Sequence, residues 1–258
     1  MSIAAYYACL ENVHSASSAV YNLIVSGAVE EEKKKNKEAG NLSVRLTVSG
    51  DGTWKKRGFS SLFGVSTLTG KYSKKVLDTV VKSSFCQGCN LWKTKHEGTI
   101  NYSDWYENHK EQCTINHADK MKVDAIMEMF RNSEEKYRVK YTTYIGDGGS
   151  KTFQSILDLE PYDTVIVEKK ECVGHVEKRM GTRLRNAKRT IKDLDERTEG
   201  KLLSDKIIDE LTKYYGLAIR THSNSLLEMK RAVLATFYHK SLTNENPQHS
   251  YCPSGTTS

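Results

Sequence analysis

Two aspartates between glycines, a spaced cysteine and histidine series, and a block of lysines and arginines are the parts of this chain that could do chemistry. Asp51 lies in Ser49-Gly50-Asp51-Gly52-Thr53-Trp54, and Asp147 in Ile145-Gly146-Asp147-Gly148-Gly149-Ser150. Glycine permits close approach of another molecule's backbone, so an acid displayed there is well placed to bind a hard divalent cation. Either one alone reads as an ordinary turn aspartate, because Asp-Gly is a common turn pair. Brought face to face they could hold Mg²⁺. Such a site suits phosphoryl transfer, in which bound metal activates the attacking oxygen and stabilises the leaving one.

Cys86-x2-Cys89 is followed, after 23 intervening residues, by Cys113-x3-His117. Thiolates two residues apart in a tight knuckle can bind one Zn²⁺ from the same side, and a distant Cys/His pair can close the tetrahedron. Gly88 sits where the knuckle needs it. His117 is the expected fourth ligand, with His96 and His109 close enough in sequence to compete. A redox or buried C-x-x-C pair is the alternative, and it ranks second because no thioredoxin-like βαβ context surrounds it.

The segment Lys169–Lys192 sets nine Lys and Arg against Glu171 and Glu177. A surplus this concentrated on one helix is the footprint of phosphate-backbone contact, so Lys178, Arg179, Arg183, Arg185, Lys188 and Arg189 are candidate DNA contacts. The plainer reading is a solvated helix face. At its start stand Cys172 and His175, a spacing that ordinarily means a buried thiol and a hydrogen-bonded imidazole.

The elements that must position these residues follow from periodicity. Leu42, Val44, Leu46 and Val48 alternate with polar neighbours as in a strand with one buried face, and Ser49–Gly52 is expected to end it as a turn. Two more β-rich runs, Phe59–Thr69 and Lys75–Phe85, follow with short connections. Met121–Arg131 is an amphipathic helix, Tyr141–Ile145 a fourth strand, Lys151–Leu159 a helix and Thr164–Val167 a short strand. Beyond Glu171 only helices are expected: Val173–Asp193, Leu202–Tyr214 and Asn224–His239, the last capped by Asn224 or Ser225. Before all of these, Tyr6–Val29 reads as helix, with the run Glu30–Glu38 as its solvated end or a linker. In the βββαβαβ order the first and fourth strands can be neighbours, which would bring Asp51 to Asp147.

Bulk properties narrow the setting. The 258 residues carry 39 Lys and Arg against 32 Asp and Glu, a net charge of +7, and 38% are hydrophobic, enough for a sizeable core. Apolar stretches such as Ala232–Phe237 fall far short of the ~20 residues a bilayer span needs. The N-terminal sequence has no basic leader, so an intracellular protein is expected, with its six cysteines as metal ligands or buried thiols rather than disulfides.

DGTWKKRG with Asp51, YIGDGGSK with Asp147 and ECVGHVEKRMGTRLR with Cys172 and His175 together resemble the transposase domain of Mutator-like DNA transposons. The resemblance runs from about Leu42 to the C-terminus. It implies an α/β ribonuclease H-like core and a DDE triad that uses Mg²⁺ or Mn²⁺ to cut and join DNA strands. It also implies that Asp51 and Asp147 match the first two catalytic carboxylates, and that Cys172-x-x-His175 matches the family's C-x2-H signature, placing His175 among the catalytic residues. No motif matches the third carboxylate. Glu210 and Glu228 are the acids on later helices, and surface charge is their expected role.

The expectation is therefore a copy truncated before the third acid. It is either a metal-dependent DNA transposase by ancestry or a domesticated or decayed DNA-binding module without catalysis. It would lie in the nucleus, with DNA as partner, self-association left open, and neither membrane nor small-molecule substrate. The expected organisation is a helical, charged leader over 1–41, a core over 42–170 with a zinc-binding insert at about 86–117, a basic helix and partial C-terminal helical extension over 171–243, and a disordered tail over 244–258.

Overall fold

The computed structural model describes residues 2–54, 61–96, 98–110, 113, 120–147, 150–191, 203–240 and 251. Its elements in chain order are α1 (Ile3–Glu38), β1 (Arg45–Trp54), β2 (Phe63–Gly70), β3 (Val76–Ser83), α2 (Gln87–His96), α3 (Ile100–His109), α4 (Met121–Tyr137), β4 (Lys140–Gly146), α5 (Ser150–Leu159), β5 (Glu168–Glu171), α6 (Val173–Thr190), α7 (Asp205–Thr221) and α8 (Leu226–Lys240). With α1 and the α2–α3 insert set aside, the order from β1 to β5 is βββαβαβ. The five strands form one mixed sheet in the order β3-β2-β1-β4-β5, the arrangement of a ribonuclease H-like core. β1 pairs antiparallel with β2 and parallel with β4. The chain divides into two compact units, Met1–Lys170 and Glu171–Ser258. No helix among the described residues is long and apolar enough to cross a membrane.

In the first unit α4 supplies the main apolar face. Met121, Ala125, Ile126, Met129 and Phe130 recur at helical spacing and are all buried. Phe130 meets Tyr141 and Tyr144 of β4 edge-on, with ring centroids 5.3 and 6.0 Å apart, a favoured aromatic geometry. Truncating Phe130 to Ala would cost about 3–5 kcal/mol. The helix stops where Arg138 turns left-handed (φ 55°) and returns its N–H to the Glu134 carbonyl, which releases the chain into β4.

Three expectations need correction. β1 does not end at Ser49–Gly52; it runs on to Trp54, and Asp51 pairs in register with Thr67 of β2. Gly50 and Gly52 are in-strand glycines whose lack of a Cβ admits neighbours from β4 and α4, and the turn-like composition answers to that packing. The last strand is Glu168–Glu171 and not Thr164–Val167; Val167 is buried before the strand begins. Val165 and Val167 pack on the core while Ile166 is exposed, and the polar residues that follow pair at the sheet edge. Thirdly, Glu30–Glu38 is not a solvated end. Glu32 is fully buried and accepts from the backbone N–H groups of Tyr72 and Ser73 at 3.0 and 2.5 Å, pinning the turn between β2 and β3. Asn36 donates to the carbonyls of Leu42 and Arg45 at 2.7 and 2.8 Å, fixing the entry to β1.

The second unit is helical. α6 and α7 pack closely at Gly181, where an added Cβ would lie 2.9 Å from the Thr212 hydroxyl. Ser204 caps α7 by accepting from Ile207 N–H, and Ser225 does the same for α8 through Glu228 N–H, each at 3.3 Å.

Candidate active site and metal centre

Asp51 and Asp147 come from neighbouring parallel strands. Ser49 of β1 is in register with Ile145 of β4, and each aspartate stands two residues further on. Adjacent strands lie about 4.8 Å apart, so the two acids follow paired positions of neighbouring strands, Asp51 within β1 and Asp147 just past the end of β4. Both residues are exposed. The Gly52 N–H donates to Asp51 Oδ1 at 2.7 Å. Lys122 Nζ, in the first turn of α4, donates to Asp147 Oδ2 at 3.2 Å.

The Tyr144 ring packs against Gly50 and Gly146, the glycines that precede the two acids. An added Cβ on Gly50 would fall 2.6 Å from Tyr144 Cε2 and 2.8 Å from its hydroxyl, so only glycine fits beside Asp51. The Tyr144 hydroxyl is buried without a hydrogen-bond partner among the described residues. Burial first, then the charges of Asp147 and Asp51, push it above the ordinary phenol range, as expected when desolvation and negative neighbours both oppose a phenolate. That one hydroxyl senses both carboxylates. Carboxylates are hard oxygen donors of the kind that suit Mg²⁺ or Mn²⁺.

The second cluster is closed. Cys86, Cys89, His109 and Cys113 bring one ligand atom each to within 4.8 Å of all the others. Cys86 Sγ is 3.2 Å from His109 Nε2, and Cys89 Sγ is 3.3 Å from Cys113 Sγ. Tetrahedral zinc, with bonds of about 2.3 Å to sulfur and about 2.0 Å to nitrogen, spaces its ligands about 3.5–3.8 Å apart. The set therefore has the size and donor chemistry of a zinc site. Burial and then the neighbouring thiols push the Cys89 thiol up to about 12. His109 is oriented by stacking on Trp105 (4.4 Å, 15°), which stacks on Trp92 (4.9 Å, 4°). Gly88 gives the ring room, since a Cβ there would lie 3.2 Å from His109 Cε1. His117, the fourth ligand expected from the sequence, lies outside the described residues.

The family described as Mutator-like transposase matches residues 12–258. The chain belongs to that family. No curated protein and no solved structure matches it.

The remaining candidates of this Mutator-like transposase lie in the second unit. Of the six cations proposed to meet DNA, Arg179 pairs with Glu171 at 3.1 Å, Arg185 with Asp209 at 2.5 Å and Lys188 with Asp205 at 3.5 Å. Lys178, Arg183 and Arg189 are exposed on α6. His175 is half-buried in the first turn of α6; its N–H reaches the Cys172 carbonyl at 3.0 Å, and its Nδ1 is buried without a partner among the described residues. Glu210 is held by Lys240 at 2.5 Å and Glu228 by Arg231 at 3.2 Å. The hydrogen bond from Lys240 keeps the Glu210 carboxyl below the usual range.

Sequence reasoning passed over Lys122 and Tyr144 and left His109 as one of three histidines. Trp105 four residues before His109 was the available signal, because residues i and i+4 of a helix stack on one face.

Proposed function

We propose that this Mutator-like transposase carries a metal-dependent DNA strand cleavage and transfer centre in which Asp51 and Asp147 are two of the metal-binding carboxylates. The observation that supports the reading is the parallel pairing of β1 with β4, whose register runs to Ser49 and Ile145, two residues before each acid. Mg²⁺ or Mn²⁺ bound there would polarise the scissile phosphate and stabilise charge on the entering and leaving oxygens. The protein's part is positional: Gly50 and Gly52 let β1 lie close over Tyr144 and Lys122, and β4 fixes Asp147 beside Asp51. Zn²⁺ on Cys86, Cys89, Cys113 and a histidine staples the α2–α3 insert to the core and takes no part in the reaction. Lys178, Arg183 and Arg189 contact the phosphate backbone, and a DNA substrate in turn places the protein in the nucleus.

A second reading, a DNA-binding module without catalysis, draws support from Glu210 and Glu228. Both are neutralised by cations of their own unit, so neither is poised as a third metal-binding acid. A Mn²⁺-dependent nicking assay on supercoiled DNA, with the Asp51→Asn, Asp147→Asn double variant alongside, separates the two. The catalytic reading expects a rate loss on the order of 10³-fold in the variant, with binding retained. Equal signals, or none from either protein while both bind DNA, would leave only the binding module.

A further inference from the structure

Lys122 stands in an electrostatically unfavourable place. It occupies the first turn of α4, at the positive end of the helix dipole, where a cation is ordinarily disfavoured, and Lys120 before it makes no side-chain cap. Its stem lies across β1 where Gly52 has no side chain: a Cβ there would meet Lys122 Cδ and Cγ at 3.4 and 3.5 Å. The ammonium ends 3.2 Å from Asp147 Oδ2, and the lysine side chain is only 18% exposed. Such a packed lysine is directed, and it is directed at the carboxylate pair.

We infer that Lys122 is a built-in counter-ion of the site. It neutralises Asp147 when no divalent ion is bound and must withdraw for one to load, so it sets the metal affinity of the pair. This rests on the assignment of Asp147 as a metal-binding acid. The buried Tyr144 hydroxyl, which has no hydrogen-bond partner among the described residues and senses both aspartates, is the second sign that charge at this spot is arranged to respond to a ligand. Asp124 is the other charged group of the first turn of α4. A single ammonium cannot compensate two carboxylates, whereas a divalent cation can. Among the described residues Lys122 holds Asp147 through this contact, which an arriving divalent cation would have to displace.

The test is a calorimetric titration of the zinc-loaded full chain with Mn²⁺, comparing wild type, Lys122→Met, Lys122→Gln and Asp147→Asn. Removing the competing charge should tighten Mn²⁺ binding roughly fivefold in both lysine variants, the effect of losing a partly exposed ion pair of about 1 kcal/mol. Unchanged or weaker binding in them, while Asp147→Asn binds poorly, overturns the counter-ion role and leaves the metal site standing. Wild-type affinity in Asp147→Asn overturns the metal assignment itself. A measurement on the unaltered chain needs no variant to fold: acylation of the Lys122 amine by a soluble reagent should speed up severalfold on adding Mn²⁺, with that of Lys213 constant. A Lys122 rate that does not rise sinks the proposal.

Discussion

The two candidate metal positions of the first unit are built on opposite plans. The Cys86/Cys89/His109/Cys113 cluster supplies four donors from a knuckle, the end of α3 and a cysteine four residues past it, with both knuckle cysteines buried. The Asp51/Asp147 pair supplies two exposed carboxylates at strand ends, with a lysine beside one of them. A closed four-donor set leaves no position for substrate and belongs to a structural ion; an open set is what chemistry requires. Softness points the same way: thiolates select zinc, and carboxylates select Mg²⁺ or Mn²⁺. Filled as proposed, the two positions would not exchange metals, because donor type sorts the ions before geometry does.

The contrast breaks most visibly at the histidine. If His109 closes the zinc site, His109→Ala should abolish stoichiometric zinc in the purified protein and unfold the insert, because a structural zinc contributes folding energy outright. His117→Ala should then keep close to one zinc per chain. Metal analysis of the two variants decides it, and zinc lost only from His117→Ala would return the fourth position to the ligand first expected from the sequence.

How much of this was legible beforehand differs between the two sites for the same physical reason. The cysteines announce themselves because a knuckle is local: Cys86, Gly88 and Cys89 carry their geometry in four residues. The choice among histidines is tertiary, since it depends on where α3 lies and on Trp105 and Trp92 stacking behind the ring. The pairing of β1 with β4 was legible from element order, and with it the placing of Asp51 and Asp147 two residues beyond paired positions. Their surroundings were not. Ser-Gly-Asp-Gly has the composition of a turn, yet pairing with β2 carries the strand through it, and the glycines answer to Tyr144 and Lys122, far away in sequence. Glu32 was hidden likewise, because nothing in a run of charges tells which one a distant hairpin turn will bury.

Acidity separates the sites next. Without metal the Cys89 thiol is pushed up to about 12 by burial and its neighbours, so near neutral pH it holds its proton and must release it for zinc to bind. The sign follows: affinity falls as pH falls, by about tenfold per pH unit from this thiol alone throughout the range below its pKa. Competition with a chromophoric chelator at about pH 8 and about pH 6 should show at least a hundredfold weakening, provided each zinc displaces at least this one proton. A pH-independent zinc affinity would mean that Cys89 is no ligand.

The smallest effect lies in the second unit and asks whether α6 meets DNA with all its cations or only some. Arg179 and Arg185 are engaged by Glu171 and Asp209 at 3.1 and 2.5 Å, while Lys178 is exposed one residue before Arg179. A cation already paired within the protein displaces fewer counterions when DNA arrives, because its own acid competes with the phosphate. Lys178→Ala should therefore lower the slope of log K against log salt by about 1. Arg179→Ala should lower it by less, and Glu171→Gln, which frees Arg179, should raise it. Filter-binding titrations across a range of salt read all three. Equal slopes for Lys178→Ala and wild type would make α6 the solvated face that its charge pattern also allowed.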